Sequence, residues 1–181
     1  PTIHFFNVPE FKGVLSSQYQ SIYKSYIVEN EVRNDKIIKI AEKLINSGRR
    51  ALILVKNIKH GDLLYAKLED KFVVYFVKGA LSSEARNKIR QDFVKGNIDL
   101  IIATSIYDQG IDLANLDALI LAGSGKSSGR ALQRIGRVIR PAKNKKDAVV
   151  IDFTDNAKYL SEHSNKRMEV YRREAGFEIR I

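Results

Sequence analysis

The chain has 181 residues, 44% hydrophobic and 29% charged, which suits one globular domain with a full core and argues against general disorder. Its formal net charge of +10 makes a polyanion, nucleic acid above all, the default partner. The absence of cysteine excludes disulfides, thiolate nucleophiles and cysteine-ligated zinc. No run approaches the ~18 apolar residues of a membrane span, and no basic-then-apolar leader opens the chain, so an intracellular protein is expected.

Residues 1–13 read as an extended or irregular connector punctuated by Pro9 and Gly13. From Ser16 to Ile27, the positions Tyr19, Ile22, Tyr23, Tyr26 and Ile27 recur at helical spacing; such a stripe is read as packing rather than as a base-stacking surface. Asn34 or Asp35 is expected to cap a helix that buries Ile37, Ile38, Ala41, Leu44 and Ile45 and stops at Gly48. Ala51 to Val55 is continuously apolar, as in a strand covered on both faces. A short helix around Asp62 to Leu68, a strand from Phe72 to Val77 and a Ser82-capped helix to Lys95 follow. Ile98 to Thr104 is the next strand, then come a loop through Gly110 and Asp112 and a strand from Ala118 to Ala122. A basic helix, a strand from Ala148 to Phe153 and a polar helix from about Asp155 to Arg173 complete the alternation. Strands separated by helices indicate an α/β domain with a mainly parallel sheet, whose ligands bind beyond the carboxyl ends of the strands. The loops after Val55, Thr104 and Ala122 are therefore the expected functional edge.

The basic helix, within Ser124 to Pro141, carries the strongest chemical signal. At about 3.6 residues per turn, Arg130, Gln133, Arg134, Arg137 and Arg140 share one arc and Ala131, Leu132, Ile135, Val138 and Ile139 the opposite one. Gly123 to Lys146 contains eight Lys or Arg and no Asp or Glu, so that face calls for an external anion. Arginine forks suit phosphate, and a glycine inside a helix, here Gly136, suggests that another backbone or a ligand comes close.

The string Gln133-Arg134-Ile135-Gly136-Arg137-Val138-Ile139-Arg140 resembles motif VI of the superfamily 2 helicases. Upstream, Ile101 through Thr104 to Gly110-Ile111-Asp112 resembles motif V of that family. Ala51 to Lys56 occupies the motif IV strand, and Lys78-Gly79 followed by Arg86 and Phe93 resembles the stretch leading into motif V. The resemblance implies the carboxy-terminal RecA-like lobe, a three-layer α/β/α domain over residues 31–181, with residues 1–30 as interlobe connector and packing helix. It implies ATP with Mg²⁺, both held mainly by an N-terminal lobe of the same polypeptide. Arg137 and Arg140 would be arginine fingers, and Gly110, Asp112 and Gln133 would complete the ATP contacts. Lys56, Lys78, Gly79, Thr104 and Lys126 would meet nucleic acid.

Gly125-Lys126-Ser127 is not a P-loop, since Ile120 stands five positions before Gly125 where the first glycine is needed. There is no acidic D-E-x-[DH] sequence either, so the 181 residues alone are expected to hydrolyse no ATP, and the start on Pro1 suggests a piece of a longer polypeptide. His4, His60 and His163 share no metal-ligand spacing and read as structural or surface residues, leaving no metal ligand to name. Gln133 stands where RNA-type members carry His and Gln109 where they carry Arg; with Arg140-Pro141 this is closer to repair, recombination and phage-type DNA helicases, so DNA is favoured. The alternative is a non-catalytic RecA-like module that binds nucleic acid through its basic face.

Overall fold

The computed structural model describes residues 2–9, 12–13, 16–79, 81–104, 113, 116–123, 125, 136 and 147–181. Among the described residues seven strands form one sheet: β1 Thr2–Asn7, β2 Ala51–Leu54, β3 Val74–Val77, β4 Leu100–Ala103, β5 Ala118–Ile120, β6 Val149–Thr154 and β7 Glu178–Arg180. Their order across the sheet is β3-β4-β2-β5-β6-β1-β7, and every pairing is parallel. The helices delimited among the described residues are α1 Tyr19–Tyr23, which continues as a π-helical turn Lys24–Val28, then α2 Glu31–Asn46, α3 Ile58–Leu68, α4 Ser83–Lys95 and α5 Leu160–Arg173.

Strand alternation divides the core in two. Leu52, Leu54, Ile101, Ala103, Leu119 and Val150 face Ile89 and Phe93 of α4 and Tyr171 of α5. Ala51, Ile53, Ile102, Ile120, Ile151 and Phe153 face Ile37, Ile38 and Ala41 of α2 and Leu64 and Leu68 of α3. The fold is thus the expected three-layer α/β/α sandwich. Each fully buried Leu or Ile side chain contributes about 1.5–3 kcal/mol, so the two faces supply most of the stabilisation. Ile22, Tyr23, Ile27 and Leu160 form a third cluster, where the Tyr19–Ile27 stripe packs as its period suggests.

Several boundaries differ from the sequence reading. Residues 2–7 are not an irregular connector but a strand between β6 and β7, with Thr2 opposite Val149 and Asn7 opposite Thr154. β7 adds a strand after the helix that was expected to end the domain. Helix α2 is capped by Asn30, whose side chain accepts from Arg33 N at 3.1 Å, not by Asn34 or Asp35. Asn34 is buried in the first turn and spends its amide on tertiary bonds, so long-range packing overrides the local capping signal. Helix α3 begins four residues before Asp62, at Ile58, because Asn57 accepts from His60 N. Helix α5 begins at Leu160, behind Tyr159, which has a φ of +66°. Ser82 does cap α4, accepting from Ala85 N at 3.1 Å, and Gly96 ends it with a φ of 85°. No helix among the described residues is long and apolar enough to cross a membrane.

Candidate functional site

Sheet register decides what meets at the carboxyl edge. Leu54 of β2 and Val77 of β3 both lie opposite Ala103 of β4, so Val55, Lys78 and Thr104 emerge at the same level. Thr104 is half-buried, one residue beyond β4; Lys56 and Lys78 are exposed. Lys56 Nζ lies 5.7 Å from the ring centre of Tyr19 and 5.4 Å from that of Tyr23, so α1 steers this cation along the edge. Lys78 stands over Phe76 at 4.7 Å and pairs with Asp62. An exposed pair of that kind is worth roughly 0–1 kcal/mol, so a phosphate can displace the carboxylate. Gly79, next to it, has a φ of 67° and open space where a Cβ would stand. A cavity of about 420 Å³ lined by Tyr65, Val74, Tyr75, Phe76 and Lys78 opens at the outer strand β3; of the described site residues Lys78 alone borders it.

The chain leaving β5 passes close to β2. Gly123 N donates to Leu54 O at 2.8 Å, and a Cβ on Gly123 would sit 2.6 Å from Lys56 N and 2.9 Å from Val55 C, both backbone atoms. Glycine is required there for space, not for an unusual dihedral angle. The carbonyls of this loop are held from three sides. Arg33 Nη1 of α2 donates to Ala122 O at 2.8 Å, Tyr23 Oη of α1 to Gly123 O at 2.6 Å, and Arg167 Nη1 of α5 to Gly125 O at 3.1 Å.

Both guanidiniums are themselves anchored by carboxylates at the end of β6. Arg33 Nε donates to Asp155 Oδ1 at 2.8 Å and its guanidinium lies 4.8 Å from the centre of the Phe153 ring. Arg167 makes a two-pronged pair with Asp152, at 2.8 and 2.9 Å, and Tyr171 Oη adds a third bond to that carboxylate at 3.1 Å. The two pairs approach from opposite faces of the sheet, because Phe153 belongs to the α2 face and Tyr171 to the α4–α5 face.

Burial pushes the Tyr23 phenol well above its ordinary value, so its hydroxyl stays a donor. Burial alone would lower the Arg167 pKa, but the charge and hydrogen bonds of Asp152 outweigh it and the net direction is up. His60 is lowered from 6.5 to about 3, by burial first and then by Arg33. Its Nε2 lies 2.9 Å from Asn34 Oδ1 while Asn34 Nδ2 donates to Val28 O, so Nε2 carries the proton and the neutral ring supports α2.

Gly110, Asp112, Lys126, Gln133, Arg137 and Arg140 lie outside the described residues. Gly136 is described: it is helical and exposed, and a Cβ built on it meets nothing within 4 Å, so the close backbone approach expected there is not made by this chain's described residues. Among the described residues no cluster of three or more His, Asp or Glu is placed to hold a metal ion. Sequence reasoning missed Tyr23, Arg33 and Arg167 as supports of the edge. The one available signal was Asp152-Phe153-Thr154-Asp155, two carboxylates at the end of a mostly apolar strand.

Comparison with known proteins accords with this geometry. A family model described as "Helicase conserved C-terminal domain" matches residues 34–142, more than half the chain. The ATP-dependent DNA helicase uvsW of Enterobacteria phage T4 is 31% identical over 137 residues, covering 75% of this chain and 27% of that protein. The crystal structure of T4 UvsW superposes with a TM-score of 0.77 at 27% identity, over 99% of this chain and 40% of that one. The C-terminal domain of the DEAD-box protein Dbp5 shares the fold, with a TM-score of 0.62 at 20% identity over 82% of this chain and 81% of that one. The chain thus spans well under half the length of the phage relative. By its RecA-like parallel sheet and its match to the family model, the chain belongs to the helicase conserved C-terminal domain family, as the C-terminal lobe of a superfamily 2 helicase.

Proposed function

We propose that this lobe is the second motor half of an ATP-dependent nucleic-acid helicase or translocase that acts on DNA in repair or recombination. The observation that carries the reading is the sheet register: Lys56, Lys78 and Thr104 emerge along one edge, and at that same edge end β4, which opens the string resembling motif V, and β5, which precedes in sequence the string resembling motif VI. Thr104, at a strand end, offers a hydroxyl and neighbouring amides to a phosphate without reading a base. Lys56, Lys78 and Lys126 add charge along the backbone path, with Gly79 allowing close approach.

Arg137 and Arg140 act as arginine fingers, and Gly110, Asp112 and Gln133 complete the contacts to nucleotide. The donor set suits a triphosphate, since permanently charged planar forks match its anionic oxygens. ATP supplies the driving free energy, and with Mg²⁺ it is held mainly by the N-terminal lobe of the same polypeptide. The residues of this lobe stabilise charge that develops on the transferred phosphoryl group. By itself the lobe turns over no ATP. DNA is favoured over RNA by Gln109, Gln133 and Arg140-Pro141, and by the DNA helicase named among the relatives.

The test is Arg137→Ala in the full-length protein. Nucleic-acid-stimulated ATPase is expected to fall by about 10³-fold or more, the scale of a lost arginine finger, with the unfolding temperature unchanged. Turnover near that of the parent would remove Arg137 from the mechanism, and normal binding with no ATPase in the parent itself would favour the non-catalytic module.

A further inference from the structure

Loops commonly leave their carbonyls to water, yet the one that follows β5 has three carbonyls met by buried or nearly buried donors from α1, α2 and α5. Two of the donors are guanidiniums whose side chains are 0% and 3% exposed. Burying a charge costs several kcal/mol unless its geometry is fully matched, and an apolar replacement is often as stable. Stability of the core therefore does not account for these residues; control over the path of the loop does. Gly125 stands twelve residues before Arg137, so the direction in which this loop leaves the sheet sets the origin of the segment that bears the arginine fingers.

We propose that Tyr23, Arg33 and Arg167 are positioning residues that clamp the Ala122–Gly125 loop and thereby aim the Arg137–Arg140 segment at the nucleotide. The inference rests on the motor reading given above. Tyr23 is the most informative member, because its ring belongs to the cluster with Ile22, Ile27 and Leu160 while its hydroxyl donates to the loop. The clamp draws on both faces of the sheet, since Asp155 and Asp152 hold the two arginines on opposite sides of β6. The loop is therefore fixed relative to the sheet before any nucleotide arrives, which is the preorganisation that charge stabilisation in a transition state requires.

The experiment uses the full-length protein with saturating nucleic acid and compares Tyr23→Phe, Arg167→Lys, Arg137→Ala and the Tyr23→Phe/Arg137→Ala double variant. Steady-state ATPase gives kcat and KM, and titration gives the affinities for ADP and for ADP with aluminium fluoride. Loss of one aimed hydrogen bond is expected to lower kcat by about 3- to 10-fold in Tyr23→Phe, with KM for ATP within about twofold. Affinity for ADP with aluminium fluoride should fall by the same factor while ADP affinity holds, and Arg167→Lys, which keeps the charge but loses the fork, should do the same more strongly. In the Arg137→Ala background Tyr23→Phe should have no further effect, because its action passes through that arginine. The clamp is overturned if Tyr23→Phe leaves kcat unchanged, if both affinities fall together, or if its effect adds in full to that of Arg137→Ala. If Arg137→Ala itself keeps normal turnover, the motor reading fails and the clamp fails with it.

Discussion

Replacing Arg33 by methionine tests how much of the fold hangs on one buried guanidinium. The side chain is 0% exposed and its partner Asp155 is 4% exposed, so solvent can compensate neither. Arg33 also donates to Ala122 O and lies over Phe153, which ties α2 to the ends of β5 and β6 at once. Methionine keeps much of the volume, so the cost comes from a buried carboxylate deprived of its countercharge and a carbonyl deprived of its donor. Removing one member of such a pair costs about 3–5 kcal/mol, a large fraction of a domain's total of roughly 5–15 kcal/mol. For a chain of this length that is a fall of about 6–20 °C in melting temperature, at about 2–4 °C per kcal/mol. The assay is urea and thermal unfolding of Arg33→Met, Asp155→Asn and the double variant. Because an apolar or neutral pair is often as stable as the ion pair, the double variant should recover at least ~1 kcal/mol relative to the sum of the single changes. A single-variant cost below about 1 kcal/mol, or strict additivity, would refute the reasoning.

Other perturbations address different parts of the same edge. His60, lowered to about 3, stays neutral in the fold while the unfolded chain titrates near 6.5. Between those values the unfolded state binds a proton that the folded state refuses, so stability falls with falling pH, by about 1.4 kcal/mol per unit well below 6.5. Urea unfolding at pH 7 and pH 5 should show a drop about 2 kcal/mol larger in the parent than in His60→Gln, and equal slopes would clear His60 of the effect. Gly123→Ala forces a methyl against Lys56 N and Val55 C and should cost roughly 1–3 kcal/mol while separating the β2 and β5 loops; a neutral result by calorimetry would mean that the backbone yields there. Lys56→Ala should weaken binding to all sequences alike and lower the salt slope of nucleic-acid affinity by about 1, and an unchanged slope would exclude a phosphate contact.

The central sheet was legible in the sequence for a definite reason. Strands such as Ala51–Leu54 and Leu100–Ala103 are buried on both faces, so they appear as unbroken apolar runs bounded by polar residues. The outer strands lack that signature. β1 is recognisable only once Thr2 is seen opposite Val149, a pairing across most of the chain, and β7 is a three-residue edge strand that alternates charge with Ile179. Capping was legible at Ser82, whose hydroxyl accepts from Ala85 N as its place in the sequence suggests, and illegible at Asn30, where Asn34 nearer the apolar stripe offered the same chemistry but is drawn inward by His60 and Val28.

Of the site, the sequence displayed the strings of residues that resemble motifs V and VI but not what supports them. Arg33 and Asp155 are separated by 122 positions, and Arg33 sits in no pattern that points to the carboxylates of Asp152-Phe153-Thr154-Asp155. The segment Ala122 to Ser127 is built from Ala, Gly, Ser and a single Lys, so it has almost no side-chain surface with which to pack itself in place. Its path must be imposed on its backbone from outside, by donors long enough to reach over the strand ends. A guanidinium meets that need because its fork can serve a carboxylate and a carbonyl together, as Arg33 does with Asp155 and Ala122 and Arg167 with Asp152 and Gly125. Both carboxylates come from the end of β6, the strand that pairs with β5, so the donors are referenced to the neighbouring strand and not to the basic segment itself. The carbonyls of Ala122, Gly123 and Gly125 are therefore tied to elements other than the basic segment, and Gly123 leaves the room for the close approach to β2.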